Sequence, residues 1–301
     1  MFKKSLSAIL LMMAFTFCQR KQVPQQPGEG TALFTAEDHT AENLFSTNIE
    51  GPAVNAAGEL FVVNYLRDGT VGKVHPDGRV ELYVELSEAS TGNSIQFRSN
   101  GNMLIADFRG HNILEVDART KALSVYCHDS RFNQPNDLCI HSSGIVYASD
   151  PDWKNSKGQV WKIGTDRKAV LFSPDMGTTN GICLSPDEKI LYVNESVQRK
   201  IWALQLDAAG NLLNKRLFVT VDDHGFDGMK CDSVGNLYVT RYGKGTIAVF
   251  NPEGQQIREI SLKGKKVSNI TFGGSDYRTA FVTLQDRKGI ERFRVDIPGK
   301  K

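Results

Sequence analysis

The chain has 301 residues, of which 40% are hydrophobic and 23% charged, the composition of a globular protein with enough apolar side chains for a core. Its formal charge is +2, and no basic block stands out beyond Lys263, Lys265 and Lys266, which read as a solvated turn. That balance argues against a nucleic acid or other polyanion as partner.

At the N-terminus, Lys3 and Lys4 precede an apolar run from Ile9 to Phe17 that ends at Cys18. A positive region before a short apolar run is the pattern of a secretory signal, too short for a stable membrane span. Phe15, Thr16, Phe17 and Cys18 resemble a bacterial lipobox, with Phe17 standing where a small residue is usual. The expectation is a signal over residues 1–18 and lipidation at Cys18, with an ordinary cleaved signal or an uncleaved anchor as the alternative. The protein would then be exported, facing the periplasm or cell exterior, and meet the membrane only through that anchor. Residues 19–30 are polar and rich in Gln, Pro and Gly, and read as a tether. The folded domain is expected over residues 31–301. Its first segment, Thr31 to Phe45, precedes the first of a series of repeats and is expected to supply the strand that completes the last one.

Three segments share one pattern: Glu50 to Phe61, Asn136 to Tyr147 and Asp227 to Tyr238. Each has a polar residue, an apolar strand, a turn glycine and a second strand that begins near an aromatic side chain. Asn93, Asn180 and Asn269 open three further copies, the last two with an extra turn residue. The six starts are 42 to 47 residues apart. Short strands at that period predict an all-β, six-bladed β-propeller. Outer hairpins lie between the copies, clearest at Gly72 to Tyr83 around Pro76, Asp77 and Gly78. No amphipathic helix is expected after residue 30.

The innermost strand of each blade lines the central channel, so residues in one register form a ring. That ring reads Glu50, Asn93, Asn136, Asn180, Asp227 and Asn269, all carboxylates or amides. They offer hard oxygen ligands and no sulfur or imidazole, which suits one divalent metal at the top of the channel. Ca²⁺ comes first, with Mg²⁺, Mn²⁺ or Zn²⁺ as alternatives. The competing reading is that these side chains cap strand ends and bond one another or trapped water, a reading that Asn93 and Asn269 fit best. Cys127, Cys139, Cys183 and Cys231 form no CxxC pair. The last three lie in apolar strand patterns, so buried free thiols are expected.

Glu50-Gly51-Pro52, Pro135-Asn136-Asp137, Asn180-Gly181, Ser185-Pro186-Asp187, Asp227-Gly228-Met229 and Phe272-Gly273-Gly274 resemble, in this order and spacing, the SMP-30/gluconolactonase/LRE-like family of regucalcin-type propellers. The resemblance covers about residues 45–297. It implies a six-bladed propeller that opens sugar or related lactones with one divalent ion. It also implies a metal site of Glu50, Asn136, Asn180 and Asp227, with Asp227 as general base. Substrate contacts are expected from Asn93, Asn136, His224 and Asn269, and Trp153, which follows Asp150, Pro151 and Asp152, is a further candidate for the pocket wall. Ala53, Val54 and Asn55 depart from the family, which often has an aromatic residue there.

No Gly-x-Ser-x-Gly elbow and no His-Glu-x-x-His pair occurs, which removes serine-nucleophile and zincin hydrolysis. Two classes stay open: a metal-dependent lactonase or esterase acting on a small lactone or ester, and a non-catalytic exported propeller that binds a ligand or protein and keeps the ion for structure.

Overall fold

A computed structural model describes residues 32–300. The expected signal, Cys18 and the tether lie outside the described residues. Those residues form six four-stranded antiparallel sheets, the predicted six blades. Five are built from consecutive strands, over residues 45–85, 92–128, 138–176, 179–220 and 229–261. The sixth takes three strands from residues 267–294 and its outermost strand, Glu37–Asp38, from the start of the domain. Glu37 pairs with Arg292 and Asp38 with Glu291, so the segment before the first repeat closes the ring as expected. Among the described residues the sole helical segment is the single turn Trp153–Asn155.

Glycine at the repeated turn has a local cause. Gly58, Gly101, Gly144 and Gly235 all hold φ between 82° and 95°, the left-handed region that a Cβ disfavours. At the first of these turns, the Gly58 N–H donates to the Asn55 carbonyl and the Asn55 side chain accepts from the Ala57 and Glu59 amides.

Apolar packing is distributed around the ring. Six clusters of buried side chains occur among the described residues, and each joins two adjacent blades. Ile95, Phe61 and Leu114 knit the first blade to the second, and Phe45, Ile49 and Phe281 knit the sixth to the first. Each sheet buries both faces against its neighbours, so the axis is left open where the inner strands begin. Cys127, Cys139, Cys183 and Cys231 are free and buried, as expected of thiols in apolar strands.

Candidate active site

Backbone pairing sets the register of the ring. Val54 faces Leu60, Phe97 faces Met103, Ile140 faces Val146, Leu184 faces Leu191, Cys231 faces Leu237 and Phe272 faces Ala280. The residues four positions before these are Glu50, Asn93, Asn136, Asn180, Asp227 and Ser268. Five match the ring expected from the sequence, and the sixth corrects it. Asn269 stands one position further along, in the layer of Gly51, Ser94, Asp137, Gly181 and Gly228. The longer turn of the last hairpin hides this shift in the sequence. Ser268 turns into the wall, its hydroxyl donating to the Ile49 carbonyl at 2.9 Å, and Asn269 lies against Gly228.

Glu50, Asn93, Asn136, Asn180 and Asp227 form the floor of a cavity of about 410 Å³. Its wall comes from Phe108, Trp153, Ser196, Val197, Gly225, Phe226, Tyr242 and Gln285. Trp153 therefore stands where the sequence placed it. His224 does not line this cavity and is exposed on the loop before Asp227; Gly225 and Phe226 of that loop reach the cavity in its place. The other wall residues went unnoticed in the sequence, yet a signal existed. Phe108, Trp153, Ser196, Tyr242 and Gln285 each directly follow the second strand of their blade, a second register of the same repeat. A larger cavity, about 490 Å³, opens at the opposite end of the channel between the inner hairpins and contains none of the expected site residues.

Glycines after the ring residues let adjacent inner strands touch. A Cβ at Gly51, where φ is +52°, would lie 2.3 Å from the Ser94 Cα, and one at Gly181 would lie 2.3 Å from the Asp227 carbonyl oxygen. Hydrogen bonds then fix the ring. Asn194 Nδ2 donates to the Asp227 carbonyl at 2.5 Å, Asn180 Nδ2 to Ser196 Oγ at 2.9 Å, and Asn93 Nδ2 to the Asn136 carbonyl at 3.2 Å. The Ser196 hydroxyl in turn donates to the Phe226 carbonyl.

Burial pushes the Glu50 carboxyl up to about 8, against the pull of the Gly51 N–H that donates to its Oε2 at 2.7 Å. Asp227 is held well above the usual carboxylate range by burial first and by the nearby Glu50 charge second. Asp137, in the layer below, is also raised by burial, while the Lys230 ammonium opposes the shift. Its carboxylate accepts from the Leu138 and Ile182 amides at 2.8 and 3.2 Å, which commits it to the backbone.

These donors fit a hard divalent cation. Two carboxyl groups crowd one buried spot, each disfavouring the other's charge, and a cation relieves that conflict. The Asn136 Oδ1 is buried with no hydrogen-bond partner, an acceptor left open at the same level. Among the described residues no three His, Cys, Asp or Glu side chains converge to hold a metal, so amide oxygens must complete any ligand set here.

Residues 48–286 match the SMP-30/gluconolactonase/LRE-like region. The chain is 28% identical to a gluconolactonase of Zymomonas mobilis over 74% of this chain and 72% of that one. It is 30% identical to lactonase drp35 of Staphylococcus haemolyticus over 64% of this chain and 56% of that one. Among solved structures, a calcium-binding regucalcin from Agrobacterium tumefaciens superposes with a TM-score of 0.74 at 23% identity, covering 90% of this chain and 95% of that one. A gluconolactonase from Xanthomonas campestris gives the same TM-score and identity over 87% and 89% of the two chains. The propeller, its repeat and the matched span together show that this chain belongs to the SMP-30/gluconolactonase/LRE-like family.

Proposed function

We propose that the chain is a metal-dependent hydrolase that opens lactones at the channel mouth. The observation that carries this reading is the convergence of two buried carboxyls and a partnerless amide oxygen at the floor of an open cavity. Glu50, Asn136, Asn180 and Asp227 would hold the ion, with Ca²⁺ the first choice. Held by those four side chains, the ion would supply a Lewis acid for the lactone carbonyl and would offset the charge that gathers on its oxygen.

The chain's own groups supply the rest. Asp227 takes a proton from the attacking water; burial and the Glu50 charge raise its carboxyl in the metal-free protein, and with an ion bound it would be ionised and able to accept that proton. Asn194 fixes the Asp227 backbone through its carbonyl, so the carboxylate meets the water in one geometry. As the ring opens, the proton on Asp227 passes to the departing alkoxide, which leaves a hydroxy acid. Names of the relatives support lactone chemistry: the matched Zymomonas protein is a gluconolactonase and the staphylococcal one a lactonase.

The test is hydrolysis of sugar and aliphatic lactones by the purified protein with Ca²⁺, Mg²⁺, Mn²⁺, Zn²⁺ or chelator. A metal-requiring rate should fall by about 10²–10⁴ in Asp227→Asn, as expected on loss of a general base. Turnover that survives both chelator and that substitution would refute the mechanism. Ion binding without turnover of any lactone would leave a binding propeller.

A further inference from the structure

We infer that the preferred substrate is a lactone carrying an apolar substituent on its ring, and not a polyhydroxylated sugar lactone; this rests on the hydrolase reading above. What points to it is the contrast between the floor and the wall of the cavity. The floor is polar throughout. Above it stand Phe108, Trp153, Val197, Phe226 and Tyr242, drawn from separate loops. Trp153 and Val197 are 38% and 53% exposed, so they offer uncovered apolar surface beside the polar floor.

The hydroxyls of the wall are already engaged within the protein. Ser196 Oγ accepts from Asn180 and donates to the Phe226 carbonyl. The Tyr242 hydroxyl donates to Gln285 Oε1 at 3.1 Å. On the floor beside them, the Asn93 amide is donated to the Asn136 carbonyl. Among the described residues no Lys, Arg or His side chain lines the cavity. A sugar lactone carries a hydroxyl on nearly every ring carbon. Each hydroxyl that loses water here without a partner costs from about five-fold to about a hundred-fold in affinity. An alkyl or aryl substituent meets the opposite condition and gains roughly three- to four-fold per methylene buried on Trp153 and Val197. The cavity volume accommodates a six-membered ring with a side chain.

Three lactones that share one ring separate the alternatives: glucono-δ-lactone, unsubstituted δ-valerolactone, and δ-valerolactone bearing a pentyl chain beside the ring oxygen. The readout is kcat/KM divided by the uncatalysed rate constant, at one pH with saturating Ca²⁺, because intrinsic ring reactivity differs among them. The pentyl lactone should exceed glucono-δ-lactone by about thirty-fold or more, with the unsubstituted ring between them. Trp153→Ala and, independently, Val197→Ser should each raise KM for the pentyl lactone by about five-fold and keep kcat, with a smaller rise in KM for the unsubstituted ring. Both side chains are partly exposed, so neither change threatens the fold. Equal or better turnover of glucono-δ-lactone overturns the inference and leaves the hydrolase reading standing. An equal loss on all three substrates in both variants also overturns it, because the wall would then not read the substituent. Hydrolysis of none of the three, by protein that Ca²⁺ still stabilises, overturns the hydrolase reading and this inference together.

Discussion

Glu50 is 4% exposed, and Asp227 shares its end of the channel. Its carboxyl rises from an ordinary 4.5 to about 8, mainly through burial. A folded value above the unfolded one means that the metal-free native state binds the extra proton. The stabilisation it brings is therefore fully present below about pH 4.5 and is lost as pH climbs through about 8. Proton and cation compete for the same oxygens, so Ca²⁺ affinity should rise from pH 6 to pH 8.5. Glu50→Gln removes the buried charge. In chelator at pH 8 it should be more stable than the parent by about 2–4 kcal/mol, and it should lose the rise in Tm that Ca²⁺ gives the parent. Thermal melts with and without Ca²⁺ at the two pH values decide this; a Glu50→Gln protein still stabilised by Ca²⁺ would remove Glu50 from the ligand set. At this scale the sequence was informative wherever a carboxylate or amide opened an apolar strand. It missed the register at Asn269, which pairing with Thr283 sets one position late, although that amide still hydrogen-bonds Glu50, as the competing reading of the ring has it.

Each inner strand depends on the residue next to its ring position. Gly51 lies against the Ser94 backbone at positive φ, whereas Gly228 meets the Asn269 side chain, its ideal Cβ falling 2.1 Å from Asn269 Cγ. Gly58 sits at φ +82° with open space around its Cβ. Alanine at these three positions should therefore cost different amounts. Gly58→Ala meets only backbone strain, about 1 kcal/mol. Gly228→Ala must displace Asn269 from Glu50, with which it hydrogen-bonds, and should weaken ion binding for an intermediate loss of stability, about 1–3 kcal/mol. Gly51→Ala combines strain with a backbone clash and should cost about 3 kcal/mol or more. Urea denaturation of the three variants gives the order, and equal costs at Gly51 and Gly58 would show that the strand contact is not what holds the ring. The alternation of strand and turn glycine was legible because each turn needs its left-handed residue. The cavity wall was less so. Its side chains come from loops of unequal length and mixed type, from Ser196 to Trp153, so only their place after the second strand repeats.

Closing the ring falls to a short strand far away in sequence. Residues before the first repeat read as a spare strand in the sequence, because six inner hairpins with their outer strands leave the last blade one strand short. Arg287 holds that strand down, its Nη1 at 2.6 Å from Asp38 and its Nη2 at 2.6 Å from Glu42, while Arg292 meets Glu37 at 2.8 Å. Among these ion pairs sits His39, buried against the Phe281 ring with centroids 4.9 Å apart. Burial and the Arg292 guanidinium lower its pKa from 6.5 to about 4, against smaller opposing effects of Glu37 and Asp77. The unfolded chain therefore takes up a proton at His39 before the folded one does, and closure weakens as pH falls from about 6.5 towards 4. With some solvent reaching the ring edge, the loss between pH 7 and pH 5 should be about 1–2 kcal/mol. His39→Phe keeps a ring against Phe281 and removes the titration, so its stability should fall less than the parent's over that interval. Denaturant melts of both proteins in chelator at pH 7 and pH 5 measure the difference in slope, and chelator keeps Ca²⁺ release at Glu50 out of the comparison. Glu50 acts in the opposite sense, since its protonation stabilises the metal-free fold as pH drops. A parent that weakens towards pH 5 while His39→Phe does not would thus place the acid-sensitive point at the closing strand, on the far side of the blade from the channel mouth; parallel slopes would clear His39 of that role.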